Sequence, residues 1–372
     1  LISLSLEVQW RKKGLLMPNK TLPVRVGSVT IGGGASVSVQ SMTNTATTNI
    51  KATLNQINDL FNAGCEIVRL AVPDESAARS IGIIKKYSPL PVIADIHFDY
   101  RLALISIDEG ADKVRINPGN IGGDEKLARI AYKAGEKGVA IRIGVNAGSI
   151  SRNLREKYRA ITADVLVESA LQTLEVLEKC SFRNIVVSLK SSDVVTNIES
   201  YKKISKCISY PLHLGVTEAG RGLRGVIKSS LGIGSLLLSG IGDTIRVSLT
   251  GNPVEEIFVA RQILQASGRR SFGPDIVSCP TCARCKINLV ELVDKVEELV
   301  RDIERPLKIA VMGCPVNGPG EAREADIGVS GGDKFGIIFK KGKVYKKVAA
   351  DELVKALKGE IAAIINRKNA ID

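Results

Sequence analysis

EIVRLAVPDESAARSIGIIKKYSPLPVIADIHFDYRLALISIDEGADKVRINP, residues 66–118, contains the unit from which most of the chain is built. Three short runs rich in β-branched residues, EIVRLAV (66–72), PVIADI (91–96) and DKVRINP (112–118), are each followed by a longer helical pattern. Parallel strands need a crossover of a dozen or more residues, so this alternation reads as successive strand–helix units. Outward from it, the same signal recurs at SVSVQ (36–40), VAIRIGV (139–145), NIVVSLK (184–190), PLHLGVT (211–217) and DTIRVSLT (243–250). Helical stretches lie between, with apolar residues at three- and four-residue steps: TLNQINDLFNAG (53–64), DEKLARIAYKAGEKG (124–138) and ADVLVESALQTLEVLEKC (163–180). Eight such units predict an α/β fold, a TIM-like (β/α)8 barrel over residues 20–266, with an open doubly wound sheet as the alternative.

The eighth helix is NPVEEIFVARQILQASG (252–268), and GRRSFGPD (268–275) reads as a linker. A small α+β domain is expected over 276–372. It comprises the helix INLVELVDKVEELVRDIE (287–304), the strand LKIAVMG (307–313), a hairpin in GIIFKKGKVYKKV (336–348) and the closing helix ADELVKALKGEIAAIINRK (350–368).

The 372 residues carry 52 Lys and Arg against 39 Asp and Glu, a formal charge of +13. With 44% hydrophobic and 24% charged residues, the composition is that of a globular protein, not a disordered or collagen-like one. Aromatics are 4% and no dense basic block occurs, which argues against stacking on nucleic acid and for a phosphorylated metabolite or an acidic protein partner. No apolar run is long enough to span a bilayer, so no membrane is expected. The apolar LISLSLEV precedes the basic WRKKG, the reverse of a secretory signal, and a cytoplasmic protein is expected. The first residue is Leu rather than Met, consistent with a clipped start or a non-ATG start translated literally.

Polar residues collect toward the C-terminal ends of the expected strands, where barrels of this kind build their sites. They are Gln40 and Ser41, Arg69, Asp95 and His97, Arg115 and Asn117, Arg142 and Asn146, Ser188 and Lys190, His213 and Glu218, and Arg246 and Ser248. A cation inside a barrel strand is costly unless an anion neutralises it. Internal pairing with Asp95, Glu218 and Asp243 accounts for a minority of these charges; the excess points to a polyanion such as a diphosphate. The Gly-rich strings IGGG (31–34) and NPGNIGGD (117–124) read as turns first, lacking the Lys-Ser/Thr of a P-loop, and GRGLRG (220–225) as either a turn or a phosphate cradle.

Seven cysteines, an odd number, argue against a disulfide framework. Cys65, Cys180 and Cys207 are isolated and expected in the core. SCPTCARC places Cys279, Cys282 and Cys285 at two-residue spacing, with Cys314 following in VMGCPVNGPGE. A zinc ribbon lacks its second knuckle here; an iron–sulfur cluster accepts the irregular set, and both readings stay open on spacing alone.

Long strings run from about residue 20 onward: VGSVTIGGGASVSVQSMTNT, IVRLAVP, VIADIHFD, KVRINPGNIG, IRIGVNAGS, HLGVTEAG, GDTIRVSLTG, SCPTCAR and GCPVNGPGEAREADIGVSGG. In these the chain resembles the 4-hydroxy-3-methylbut-2-en-1-yl diphosphate synthases, iron–sulfur enzymes of the methylerythritol phosphate route to isoprenoids, in their shorter bacterial form. The resemblance implies a [4Fe–4S] cluster on Cys279, Cys282, Cys314 and Glu321; Cys285 is a departure from the family pattern. It implies that Arg69, Arg115, Arg142, Lys190 and Ser248 hold a diphosphate, and that Asp95, Asn146, Glu218 and Asn317 line the substrate. The implied reaction turns 2-C-methyl-D-erythritol 2,4-cyclodiphosphate into (E)-4-hydroxy-3-methylbut-2-enyl diphosphate with two electrons from reduced flavodoxin or ferredoxin. Glu218 is expected to act as proton donor and Glu321 as an exchangeable cluster ligand. A radical enzyme using S-adenosylmethionine would need a three-cysteine motif after the first strand, and that loop has none. A head-to-tail homodimer is expected, because the eighth helix of a barrel ends on the face away from the site and the linker is short.

Overall fold

The computed structural model describes residues 20–285, 287–314, 320, 322–332 and 334–369 of the chain. Two compact units emerge, one ending at Arg270 and the other starting at Ser271.

The first unit opens with a hairpin absent from the expected strands, β1 (Val24–Val26) and β2 (Val29–Ile31), paired antiparallel with Val24 opposite Ile31. Strands of three residues are too short to show alternation, which is why the stretch reads as a turn in sequence. The barrel strands then follow: β3 (Ser38–Met42), β4 (Ile67–Ala71), β5 (Val92–Ile96), β6 (Lys113–Ile116), β7 (Ala140–Asn146), β8 (Ile185–Lys190), β9 (His213–Leu214) and β10 (Thr244–Ile245). Sheet order is β8-β7-β6-β5-β4-β3-β10-β9. A parallel bridge between Val187 and Leu212, with Val187 N–H donating to Pro211 O at 2.9 Å, joins the two ends. The sheet closes as a barrel, and the open-sheet alternative is excluded.

The helices between and after these strands are α1 (Ile50–Asn62), α2 (Glu75–Tyr87), α3 (Tyr100–Asp108), α4 (Asp124–Lys137), α5 (Arg152–Tyr158), α6 (Ala163–Lys179), α7 (Val194–Ile204), α8 (Gly222–Ser229), which runs on through a π-turn at Ser230–Gly234 into a last turn at Ser235–Leu238, and α9 (Pro253–Ala266). Their starts follow capping chemistry. Asn49, Asp74, Asp193 and Asn252 each accept a backbone N–H of the first turn, and Pro253 opens α9.

Two expected strands are much shorter than their apolar runs. The 211–217 and 243–250 runs give two-residue strands because the chain leaves the ladder early: Leu249 N–H turns to the Glu256 carboxylate at 3.0 Å. The first expected strand, 36–40, lies two residues later, at Ser38–Met42. Beneath the barrel, Val24, Val26 and Ile31 of the hairpin pack on Ile67, Ile93, Ala140 and Val186, one apolar layer that closes the bottom.

The second unit is a five-stranded sheet in the order β11 (Asp275–Ser278), β12 (Lys308–Met312), β13 (Ile327–Ser330), β14 (Phe335–Lys340) and β15 (Lys343–Ala349). The first three are parallel and the last two antiparallel. Alternation along β12 splits its side chains: Ile309 and Val311 join the core beneath α10 (Leu289–Val300) and α11 (Leu353–Asn369), while Ala310 and Met312 pack with Ala322, Ala325 and Phe339. The expected hairpin and both helices are present; β11 and β13 were not among the expected elements.

Candidate active site

Period-two alternation raises a polar layer directly above the apolar floor of the barrel. Two residues beyond Ile67, Ile93, Ala140 and Val186 stand Arg69, Asp95, Arg142 and Ser188, all buried. Strand register sets Asp95 beside Arg115, and Arg115 beside Arg142. Arg115 Nη1 donates to Asp95 Oδ1 at 3.1 Å and Nη2 to the Gly144 carbonyl at 3.2 Å. Arg69 Nε stands 3.6 Å from Asp95 Oδ2. Gly144 matters here through what it lacks: a Cβ would overlap Arg115 Nε. With its amide oriented to satisfy both neighbours, Asn146 at the end of β7 accepts from Arg115 Nη2 at 3.1 Å.

On the strand next to β7, Lys190 ends β8 in register with Asn146, its Nζ 3.2 Å from His213 Nε2 on β9. Gly215 lies against the same ammonium, and a Cβ there would overlap Nζ. Arg246, just past β10, reaches the Glu256 carboxylate on α9 at 3.4 Å; that carboxylate also takes the Ser41 hydroxyl at 3.0 Å. Ser248 is half-buried two residues on.

The electrostatics are one-sided. Among the described residues, Arg69, Lys113, Arg115, Arg142, Lys190 and Arg246 outnumber the carboxylates near them, with Asp95 beside Arg69 and Arg115, Glu256 beside Arg246 and Asp112 acting on Lys113. Arg142 Nε and Nη1, Lys113 Nζ, Arg115 Nε and Arg246 Nε are buried without a hydrogen-bond partner among the described residues. Burial first, then the neighbouring arginines, drive the Lys113, Lys190 and Arg142 values well below the usual range. Burial also opposes the Asp95 charge, but Arg69, His97, Arg115 and Arg142 outweigh it and hold that carboxyl well below its ordinary value. Buried donors without a partner are costly, and an anion with several oxygens would satisfy them.

Two expected internal partners do not serve these cations. Asp243 instead accepts the Thr21 hydroxyl at 2.7 Å and Leu212 N–H at 2.8 Å. Glu218 is exposed, on the loop after β9, with φ +54°. A non-glycine residue in that region is uncommon, and Arg159, Ser181 and Lys341 share it. Glu256, the carboxylate that does pair, went unread because it sits on a helix and not on a strand. The IGGG string is a turn after β2, away from this layer, and GRGLRG leads into α8 with Arg221 at its cap.

In the second unit the four clustered cysteines share one edge. Cys279 follows β11 and Cys314 follows β12, parallel neighbours; Cys279 N–H donates to Val311 O at 3.3 Å, and Gly313 N–H to Cys279 Sγ at 3.2 Å. Cys285 N–H donates to Cys282 O at 2.9 Å in a tight turn, and its thiol donates to Ile287 O at 3.3 Å. Cys282 is exposed, its thiol drawn down chiefly by the Arg284 backbone N–H and by the Arg284 charge. Among the described residues no three histidine, cysteine or carboxylate side chains converge on a single-ion site. Asn317 and Glu321 lie outside the described residues. Of the isolated cysteines, Cys65 is in the core, where burial pushes its thiol up to about 12, and Cys180 is half-buried. Cys207 is exposed, contrary to expectation, because it lies in the turn after α7.

Comparison with known proteins matches residues 21–261 to the GcpE TIM-barrel domain and 275–363 to the GcpE protein C-terminal domain. The chain belongs to the GcpE family. Similar GcpE-type relatives are named 4-hydroxy-3-methylbut-2-en-1-yl diphosphate synthase (flavodoxin). That of Caldanaerobacter subterraneus subsp. tengcongensis is 53% identical over 95% of this chain and 99% of its own. That of Clostridium acetobutylicum is 55% identical over 92% and 98%. Among solved structures, Yersinia pestis dihydropteroate synthase with a sulfonamide drug covers 67% of this chain and all of its own, at TM-score 0.50 and 10% identity, a likeness of fold alone. Among the described residues no helix is long and apolar enough to cross a membrane.

Proposed function

We propose that the chain converts 2-C-methyl-D-erythritol 2,4-cyclodiphosphate into (E)-4-hydroxy-3-methylbut-2-enyl diphosphate and water, consuming two electrons and two protons. The observation that carries this reading is the layer of buried cations with unsatisfied donors in a barrel of the GcpE family. Arg69, Arg115, Arg142, Lys190 and Ser248 bind the diphosphate through charge-assisted hydrogen bonds. Asp95 keeps Arg69 and Arg115 aimed, Asn146 steadies Arg115, and both line the substrate with Asn317. Glu218 delivers a proton to the departing oxygen from its loop above the barrel.

A [4Fe–4S] cluster held by Cys279, Cys282, Cys314 and Glu321 would supply the electrons one at a time. The thiolates bind iron firmly, whereas the harder Glu321 carboxylate is the exchangeable ligand. Reduced flavodoxin is the proposed donor, in keeping with the names of the relatives, with ferredoxin as the other candidate. The proposed setting is the cytoplasm, where such thiols stay reduced. The proposed assembly is a head-to-tail homodimer with each active site built from two chains. Mixing inactive Cys314→Ser and Arg115→Ala subunits should restore part of the activity; no recovery despite proven subunit exchange would place the site within one chain.

The decisive experiment is anaerobic turnover of the cyclodiphosphate with a chemical reductant. Absence of product from iron-loaded protein would overturn the reading, and a colourless zinc protein would overturn the cluster.

A further inference from the structure

The Lys190–His213 contact is outside the roles assigned above. Both side chains are buried, and Nζ and Nε2 stand 3.2 Å apart. An ammonium has only donors, and so has an imidazolium; two such groups cannot make this bond. At least one of the two nitrogens is therefore unprotonated while this bond is made, and the pair then carries at most one positive charge. His213 Nδ1 has no partner among the described residues. The imidazole is fixed from its backbone instead: Tyr201 on α7 donates its hydroxyl to His213 O at 2.6 Å and accepts Leu189 N–H at 3.2 Å. Gly215 leaves the space in which the ammonium rests.

The surroundings explain why the pair holds back a proton. Arg69 from β4, Lys113 and Arg115 from β6, Arg142 from β7 and Arg246 beyond β10 all bear on it. From α7 comes the Tyr201 hydroxyl, and β3 contributes the neutral, buried Ser38 and Gln40. The carboxylates of this region are already engaged: Asp95 with Arg69 and Arg115, Glu256 with Arg246, and Asp243 with the Thr21 hydroxyl and Leu212 N–H. Burial and this positive field both lower the proton affinity of Lys190 and of His213.

We propose that His213 is a positioning residue for Lys190, and that seating the cyclodiphosphate draws one proton onto the Lys190–His213 pair. The inference rests on the barrel being the diphosphate site. Two negative charges at this layer reverse the field that excludes the proton, and the Lys190 donors turn from Nε2 to phosphate oxygens. Nε2 is then free to be protonated. The substrate itself brings no proton: each phosphorus of the cyclic diphosphate carries one strongly acidic oxygen, already ionised at neutral pH. Any proton taken up on binding comes from solvent to the protein.

The test is calorimetric binding of the cyclodiphosphate to the oxidised, full-length, cluster-loaded protein without reductant, in two neutral buffers of different ionisation enthalpy. Uptake of about one proton per site is expected, together with affinity that weakens as pH rises, by about tenfold per unit at most. The His213→Gln, Lys190→Met double variant should bind with no uptake, while Lys113→Met should retain it. Binding without proton uptake, uptake undiminished in the double variant, or uptake abolished in Lys113→Met would each overturn the inference while leaving the proposed function standing. No binding of the cyclodiphosphate at all would overturn the proposed function and the inference with it.

Discussion

Asp95 and Arg115, side by side on adjacent parallel strands, are joined by a 3.1 Å bond between Oδ1 and Nη1 with both side chains buried. Asp95 is also the carboxylate nearest Arg69, so one anion organises two of the five side chains proposed to hold the diphosphate. Asp95→Asn should leave two buried guanidinium groups without it and cost about 3–5 kcal/mol of stability, read by urea unfolding. Because binding stabilises the native state by mass action, added cyclodiphosphate should restore part of the loss. A variant as stable as the parent would show that the arginines need no internal counter-charge.

The same carboxylate fixes an acid limit. Its folded value lies below its unfolded value of about 3.9, so the stabilisation is complete above that value and is lost as pH falls through the lower, folded one. Between pH 5 and 8 Asp95 contributes no slope, and any pH dependence of substrate affinity there belongs to other groups. Unfolding free energy followed from pH 6 downward should show the parent's advantage over Asp95→Asn disappearing only below about pH 4. An advantage that fades at pH 5 would contradict the depressed value.

Two glycines make room for cations, and each offers a test by a single methyl group. Gly144→Ala would force Arg115 aside, and Gly215→Ala would do the same to Lys190. Neither glycine has a positive φ, so the local backbone accepts alanine; at 144 the methyl meets the Arg115 side chain, whereas at 215 it also meets the Arg246 carbonyl oxygen, so that the strand end must shift as well. Losing one charge-assisted hydrogen bond costs roughly 1.5–3 kcal/mol, so dissociation constants should rise about tenfold or more in each variant. Far-ultraviolet circular dichroism should be unchanged. Unaltered affinity would mean that Arg115 or Lys190 does not reach the ligand.

These examples show what was legible in the sequence. Strand–helix spacing gave the barrel, and the polar residues at strand ends gave the cationic layer, because one strand carries its own alternation. The partners were not legible. Glu256 reaches Arg246 from a helix, and His213 meets Lys190 across a closure that exists only once β8 and β9 are brought together. The hairpin of β1 and β2 was hidden by strands too short to display a period, although it supplies the barrel floor. Resemblance, and not spacing, distinguished iron–sulfur from zinc and assigned Glu321.

Glu218 is proposed to deliver the proton, and its backbone at φ +54° presents it from the loop after β9. General acids of this kind contribute about 10²–10⁴-fold to rate. Glu218→Gln should lower turnover within that range and leave cyclodiphosphate affinity within a few-fold, since the amide keeps the shape and the polar contacts. Equal turnover in the variant would remove Glu218 from the chemistry.

Cys285 and Cys314 sit on either side of the same question, which thiols hold the cluster. Cys285 is three residues from Cys282 in a tight turn, and its sulfur lies against Gly313, where a Cβ would not fit comfortably. It is near enough to compete for iron, yet its thiol is engaged with the Ile287 carbonyl at 3.3 Å. Cys314 follows β12, and Cys279 follows its parallel neighbour β11. If Cys279, Cys282, Cys314 and Glu321 fill the coordination, Cys285 is surplus. Cys285→Ser should then keep its full iron content, visible absorbance and activity after anaerobic reconstitution, and Cys314→Ser should lose all three. Glu321→Ala should separate them, retaining iron while losing most of its turnover, because the three thiolates remain. Iron lost from Cys285→Ser and kept in Cys314→Ser would exchange the two cysteines in the ligand set and make the tight turn at 282–285 the principal cluster loop.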